Sequence, residues 1–96
     1  METTYLERLN RACQRLNALG GTYVHFNGFC FGSKYKVLTI RYDEIIACNR
    51  DNPSDSMTMP LHWFNEGFLY QLWMSFENEC REQLTDDAYN FVISNK

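Results

Sequence analysis

The longest regular pattern in the sequence runs from Pro60 to Gln83, where apolar residues recur at helical spacing and predict a central helix. Proline suits the first position of a helix because its missing N–H needs no partner there. At about 100° per residue, seven apolar residues fall on one side of this helix. They are Leu61, Phe64, Phe68, Leu69, Leu72, Phe76 and Cys80. Glu79 shares their azimuth, so the helix is expected to extend past the core or to bend before this residue.

A second apolar line, Trp63, Tyr70 and Met74, falls on roughly the opposite side of the same helix. A helix that is apolar on two sides is usually covered on both. The favoured interpretation is therefore that these three side chains belong to the core, between a sheet and another helix. The alternative is an exposed patch that docks a partner protein.

The composition fits one compact domain spanning residues 1–96, with 45% hydrophobic and 16% aromatic residues. The sequence has no apolar run long enough to span a bilayer and no basic-then-apolar leader, which predicts a cytoplasmic protein that binds no membrane. The four cysteines are far apart and form no C-x-x-C pair. Reduced, packed thiols are therefore expected, without a disulfide framework or a zinc site.

Local signals predict the elements before the central helix. Thr4 and Glu7 have capping-box spacing and open an amphipathic helix that stops at Gly20-Gly21. A three-stranded antiparallel meander follows, its first two strands joined by an Asn-Gly hairpin turn. The predicted strands are Thr22 to Phe26, Phe29 to Phe31 and Tyr35 to Tyr42.

The remaining segments complete a predicted α+β fold. Asp43 is expected to cap a short helix that ends near Asn49, and residues 51–59 form a polar linker. Thr85 is the predicted N-cap of a C-terminal helix. The fold prediction is thus a three-stranded antiparallel meander packed by a long central helix, with N-terminal, short and C-terminal helices.

Residues capable of catalysis occur, but without a complete constellation. His62 and Glu66 lie four apart and could ligate a metal, yet spacing supplies no third ligand. Cys30 and His25 would face each other across the predicted hairpin as a nucleophile and its base, without a third group to orient them. The prediction is a protein that is not an enzyme and has no metal or cofactor; a thiol enzyme remains the alternative.

Charge divides unevenly along the chain, although the net charge is only −3. Residues 1–42 hold six basic and two acidic residues, a balance of +4, whereas residues 43–96 hold three basic and ten acidic residues, a balance of −7. Solubility and helix capping explain many of these carboxylates. They could also form a surface that replaces the phosphates of DNA in a basic channel. The candidate partner-binding residues are Asp43, Glu44, Asp51, Asp55, Glu66, Glu77, Glu82, Asp86 and Asp87.

The overall run of the chain, including GGTYVHFNGFCFGSKYKVLTIRYDEI and MPLHWFNEGFLYQLW, resembles the small anti-CRISPR proteins of phages and other mobile elements. More particularly, it resembles a type I-F inhibitor of the DNA-mimic kind. The resemblance implies a monomer in the bacterial cytoplasm that binds the type I-F crRNA-guided surveillance complex, blocks target DNA and does not itself bind nucleic acid. Because the net charge is mild for a DNA mimic, such mimicry would be confined to one face. The alternative is a small phage or plasmid interaction module, or regulator, that docks through Trp63, Tyr70 and Met74.

Overall fold

A computed structural model describes residues 4–21 and 23–94, which form helices packed on an antiparallel sheet. The helices are α1 (Tyr5–Ala18), α2 (Glu66–Gln83) and α3 (Asp86–Ile93). The strands are β1 (Cys30–Phe31), β2 (Tyr35–Arg41), β3 (Glu44–Asn49) and β4 (Ser56–Pro60), and they lie in the order β1-β2-β3-β4. The predicted α+β class is confirmed, with a four-stranded meander in place of the predicted three strands.

The first and last helices begin where local capping signals predict. The Thr4 hydroxyl accepts a hydrogen bond from the Glu7 N–H at 3.2 Å, and the Thr85 hydroxyl accepts one from the Ala88 N–H at 3.2 Å. After α1 the backbone turns through Gly20, whose φ of 81° lies in the region that glycine adopts without a Cβ clash. The capping signals at Thr4 and Thr85 are local, so neither helix start depends on packing with distant residues.

The segment from Asp43 to Asn49 was predicted as a short helix, and this prediction is wrong. Glu44–Asn49 is a strand that pairs with β2 on one side and β4 on the other. Ile45 and Ala47 are fully buried at alternate positions, which is strand periodicity rather than helix periodicity. The predicted linker over residues 51–59 likewise ends in β4.

The first predicted strand and its hairpin are also incorrect. Thr22 lies outside the described residues, and the chain that follows it pairs with β2 through a single bridge between His25 and Thr39. Cys30 pairs further along the same edge of β2, opposite Lys36. The segments on the two sides of Asn27-Gly28 therefore follow one another along β2 instead of pairing with each other.

The central helix begins six residues later than predicted. Pro60 ends β4, and Leu61–Trp63 forms a 3₁₀ turn before α2. Asn65 caps α2, its side-chain oxygen accepting a hydrogen bond from the Phe68 N–H at 2.8 Å. Proline has no N–H to donate, and the end of a strand tolerates this as readily as the start of a helix does. Pro60 is therefore compatible with both assignments.

The core lies between α1, α2 and one face of the sheet. Leu69, Leu72 and Phe76 of α2 are fully buried, and they share one cluster with Leu9 of α1 and Val37 of β2. At the start of α2 an aromatic group extends this cluster, with the rings of Phe64 and Phe68 stacked and that of Phe31 edge-on to both.

The favoured interpretation of Trp63, Tyr70 and Met74 as core residues is wrong. Their exposed fractions are 66%, 42% and 43%. Because α2 begins at Glu66, Trp63 precedes the helix, and the azimuths of Tyr70 and Met74 point away from the sheet. Trp73, only 5% exposed, is the tryptophan that packs in the core.

Candidate partner-binding surface

All nine carboxylates selected from the sequence lie on the surface or at its margin. Glu44 and Glu77 are half-buried, and the remaining seven residues are exposed. The tenth acidic residue of this half of the chain, Glu79, is instead buried, with 8% of its surface exposed. The nine side chains are therefore placed where a partner protein could contact them.

On the sheet, these carboxylates occupy the turns at the two ends of β3. Asp43 and Glu44 lie at the turn between β2 and β3, whereas Asp51 and Asp55 lie in the turn between β3 and β4. A strand rises about 3.3 Å per residue, so the two turns are separated by roughly the 20 Å length of β3. The fold therefore keeps the two pairs apart.

The β3–β4 turn holds its two carboxylates on an ordered backbone. The Asn49 side chain accepts from the Asp51 N–H at 2.9 Å, and the Asn49 N–H donates to the Asp55 carbonyl at 2.9 Å. The hydroxyl of Ser54 donates to the Asn52 side chain at 2.7 Å. None of these bonds uses the Asp51 or Asp55 carboxylate, so both carboxylates remain available to a partner.

Basic residues lie close to this turn in the fold. The Arg50 N–H donates to the Lys34 carbonyl at 2.7 Å, which brings the β1–β2 and β3–β4 turns together. Residues Asp51 and Asp55 thus lie on backbone adjacent to that of two cations. The local field at this end of the sheet is therefore mixed.

The junction of α2 and α3 collects Glu82, Asp86 and Asp87 within six residues, all of them exposed. Asp86 and Asp87 occupy the first turn of α3, where negative charge favours the helix macrodipole. Glu66 lies at the other end of α2, where its carboxylate accepts from the Tyr5 N–H at 3.1 Å. The structure therefore gathers three of the nine carboxylates at one junction.

Few of these charges are neutralised by a neighbouring cation. The described residues, 4–21 and 23–94, contain two ion pairs within 4.0 Å. One joins Glu7 to Arg11 at 3.9 Å, and the other joins Glu77 to Arg81 at 3.6 Å. Of the nine selected carboxylates, only that of Glu77 belongs to such a pair within those ranges. No lysine, arginine or histidine side-chain nitrogen of the described residues lies within 4.0 Å of the carboxylates of the other eight.

Tyr70 and Met74, which are exposed on α2, and Trp63, which is exposed in the 3₁₀ turn before it, make up the Trp63–Met74 face. The Tyr70 ring packs edge-on against the ring of Tyr5 at 5.1 Å between centroids. The Tyr5 ring in turn lies 5.1 Å from the Arg8 guanidinium carbon. The contact between the Tyr5 and Tyr70 rings restricts the Tyr70 side chain, and 42% of its surface stays exposed.

Glu79 and Gln83 form a polar anchor that the sequence pattern did not reveal. Glu79 accepts from the Asn27 N–H at 2.6 Å, and Gln83 both accepts from the His25 N–H at 3.0 Å and donates to the His25 carbonyl at 2.6 Å. α2 thereby supplies the hydrogen bonds that a neighbouring strand would otherwise give this segment. In the sequence, Glu79 falls on the apolar side of the central helix, and the helix was therefore expected to extend past the core or to bend. Neither is needed, because Glu79 is buried with a backbone N–H group to bond its carboxylate.

The geometry proposed for a thiol enzyme is not present. Cys30 and His25 pair with Lys36 and Thr39, so they occupy successive places along one edge of β2 and do not face each other. His62 lies in the 3₁₀ turn before α2 rather than on one helix with Glu66. In the part of the chain that the structure describes, no three His, Cys, Asp or Glu side chains converge to hold a metal ion.

The two buried thiols are held in the unreactive, protonated form. Burial, together with the nearby thiol of Cys80 and carboxylate of Asp43, raises the pKa of Cys13 from 9.0 to about 12. Burial and the carboxylates of Glu77 and Glu79 raise the pKa of Cys80 to the same value. A thiolate is the nucleophilic form of cysteine, so neither residue suits covalent catalysis near neutral pH.

Comparison with protein-family models, curated proteins and solved structures finds no match to this chain. Among residues 4–21 and 23–94, no helix combines the length and hydrophobicity that crossing a membrane requires.

Proposed function

We propose that this protein is a non-enzymatic inhibitor that occupies a basic, nucleic-acid-binding surface of a partner. The observation that carries the proposal is that eight of the nine surface carboxylates have no cationic partner within 4.0 Å among the described residues. Internal ion pairs would have lowered the field that such a surface presents to arginines and lysines. The resemblance to type I-F anti-CRISPR proteins specifies the partner as the crRNA-guided surveillance complex in the bacterial cytoplasm.

The proposed mechanism is competition with target DNA for arginine and lysine side chains. Duplex DNA carries one negative charge per about 1.7 Å of its axis, and proteins bind it by neutralising those phosphates. Carboxylates accept charge-assisted hydrogen bonds from arginine, often in bidentate geometry. Since the carboxylate groups are separated in the fold, the junction group Glu82, Asp86 and Asp87 is the proposed centre of contact.

The experiment is a competition assay with purified type I-F surveillance complex and labelled target duplex. A junction variant, Glu82→Gln with Asp87→Asn, removes two charges while leaving Asp86 to support the start of α3. A turn variant, Asp51→Asn with Asp55→Asn, removes two charges whose carboxylates make no hydrogen bond to described residues. We expect the junction variant to need at least tenfold more protein for half-maximal inhibition, and the turn variant to lose less.

Glu7→Gln is the control, because it removes one negative charge from the basic half of the chain, where Glu7 pairs with Arg11. It should inhibit as the unmodified protein does. Undiminished inhibition by both double variants would refute the electrostatic mechanism. Absence of any binding to the complex by the unmodified protein would refute the choice of partner.

A second candidate function is docking through the Trp63–Met74 face, favoured by the 66% exposure of Trp63. Exposed aromatic side chains of this size are typical anchors of protein interfaces. Ionic strength separates the two mechanisms, because salt screens charge-driven association and leaves apolar docking largely intact. Binding that persists in 1 M salt and is lost in Trp63→Ser would favour the apolar face.

A further inference from the structure

The outer edge of β4 carries backbone donors with no partner in the described chain. β4 is the last strand of the sheet and pairs only with β3. The Asn49 N–H bonds the Asp55 carbonyl and the Leu61 N–H bonds the Asp43 carbonyl. Because hydrogen-bonded pairs alternate in an antiparallel ladder, Met57 and Met59 bond β3, while Ser56 and Thr58 direct their N–H groups outward.

This edge lacks the usual protection against pairing with another strand. Natural edges are commonly blocked by charged side chains, by bulges or by a covering loop. β4 has the sequence SMTMP, which contains no charge, and its only blocking residue is Pro60 at the end. Trp63, with two thirds of its surface exposed, follows three residues later. An accessible strand edge and a large exposed aromatic ring therefore adjoin each other.

We propose that two copies of this chain, in place of the monomer expected from the sequence, pair through β4, antiparallel, about a two-fold axis at Thr58. In this register each Thr58 N–H donates to the Thr58 carbonyl of the second copy, and each Ser56 N–H donates to the Pro60 carbonyl of the second copy. Proline has no N–H, so every outward donor of β4 then has an acceptor. A two-fold interface requires a surface that complements itself, and this edge does.

The side chains are compatible with the same register. Met57 of one copy lies opposite Met59 of the other; both are half-buried, and Met59 packs against the core. Opposed apolar and β-branched pairs stabilise neighbouring strands. Asp55 lies opposite Leu61, so no like charges meet across the pair.

The test is the solution mass of the full chain over a range of concentrations, measured by sedimentation equilibrium. One chain has a mass of 11.4 kDa, and we expect the mass to double as concentration rises. Thr58→Lys places two ammonium groups on the axis and should remain at the mass of one chain. Ser33→Lys adds the same charge at an exposed position of the β1–β2 turn and should still double.

Amide hydrogen exchange provides an independent reading that needs no variant. Protection of the Ser56 and Thr58 amides should rise with protein concentration, since these donors acquire partners only in the pair. A chain that keeps the single-chain mass at all concentrations, or a Thr58→Lys variant that still doubles, would overturn the proposal. So would doubling without concentration-dependent protection of these two amides, because the copies would then associate through another surface.

Discussion

At the scale of single residues, position in the fold separates acidic side chains that the sequence treats alike. The pattern correctly placed Asp51 and Asp86 on the surface, because polar turns and first helical turns favour exposure. It could not place Glu79, whose burial depends on the Asn27 N–H, fifty-two residues away. A long-range hydrogen bond leaves no periodic trace in the sequence.

Replacing Glu79 with alanine is expected to lower the free energy of unfolding by about 1–3 kcal/mol, because the Asn27 N–H loses its acceptor in a part-buried site. Glu79→Gln keeps an acceptor oxygen at that place and should lose less. Urea denaturation followed by circular dichroism measures both. Equal losses in the two variants would indicate that the negative charge of the carboxylate, and not the presence of an acceptor oxygen alone, stabilises this position.

At the scale of elements, the predictions succeeded where the determining signal was local. The capping residues Thr4 and Thr85 correctly marked helix starts, and the alternation in β2 correctly marked a strand. The segment Glu44–Asn49 was misassigned because adjacent isoleucines fit either a short helix or a strand, and its pairing with two neighbours decides the outcome. Asp43 therefore precedes a strand instead of capping a helix, and Glu44 is the first residue of that strand.

The start of α2 is set by Asn65 and not by Pro60, which leads to a prediction at this scale. Asn65→Ala should destabilise the protein by about 1 kcal/mol, because the Phe68 N–H loses its side-chain acceptor. Asn65→Asp keeps the acceptor and adds a charge that favours the helix N-terminus, so it should be neutral or stabilising. Thermal unfolding monitored by circular dichroism compares the two, and an aspartate variant as unstable as the alanine variant would contradict the capping role.

At the scale of the whole molecule, the core joins elements that are distant in sequence, and the two buried thiols report on its integrity. Cys13 lies on α1 and Cys80 on α2, and both belong to one buried cluster. Both are fully enclosed by the core cluster that also contains Leu9 and Phe76. The prediction that the four thiols are packed holds for these two, whereas Cys30 is exposed and Cys48 is half-buried.

This burial makes global stability sensitive to alkaline pH in a direction that follows from the pKa values. Below the ordinary thiol pKa of 9.0 both states are protonated, so the folded state keeps its full stability. As pH rises from about 9 towards 12, thiols of the unfolded chain release protons while those of Cys13 and Cys80 do not, so stability falls. The urea midpoint of the unmodified protein should therefore decrease across this range more steeply than that of a Cys13→Ala, Cys80→Ala variant.

Cys30→Ala with Cys48→Ala is the matched control, because these two thiols are not buried and their removal should leave the slope unchanged. Parallel midpoint curves for the unmodified protein and the Cys13, Cys80 variant would show that these thiols ionise equally in both states.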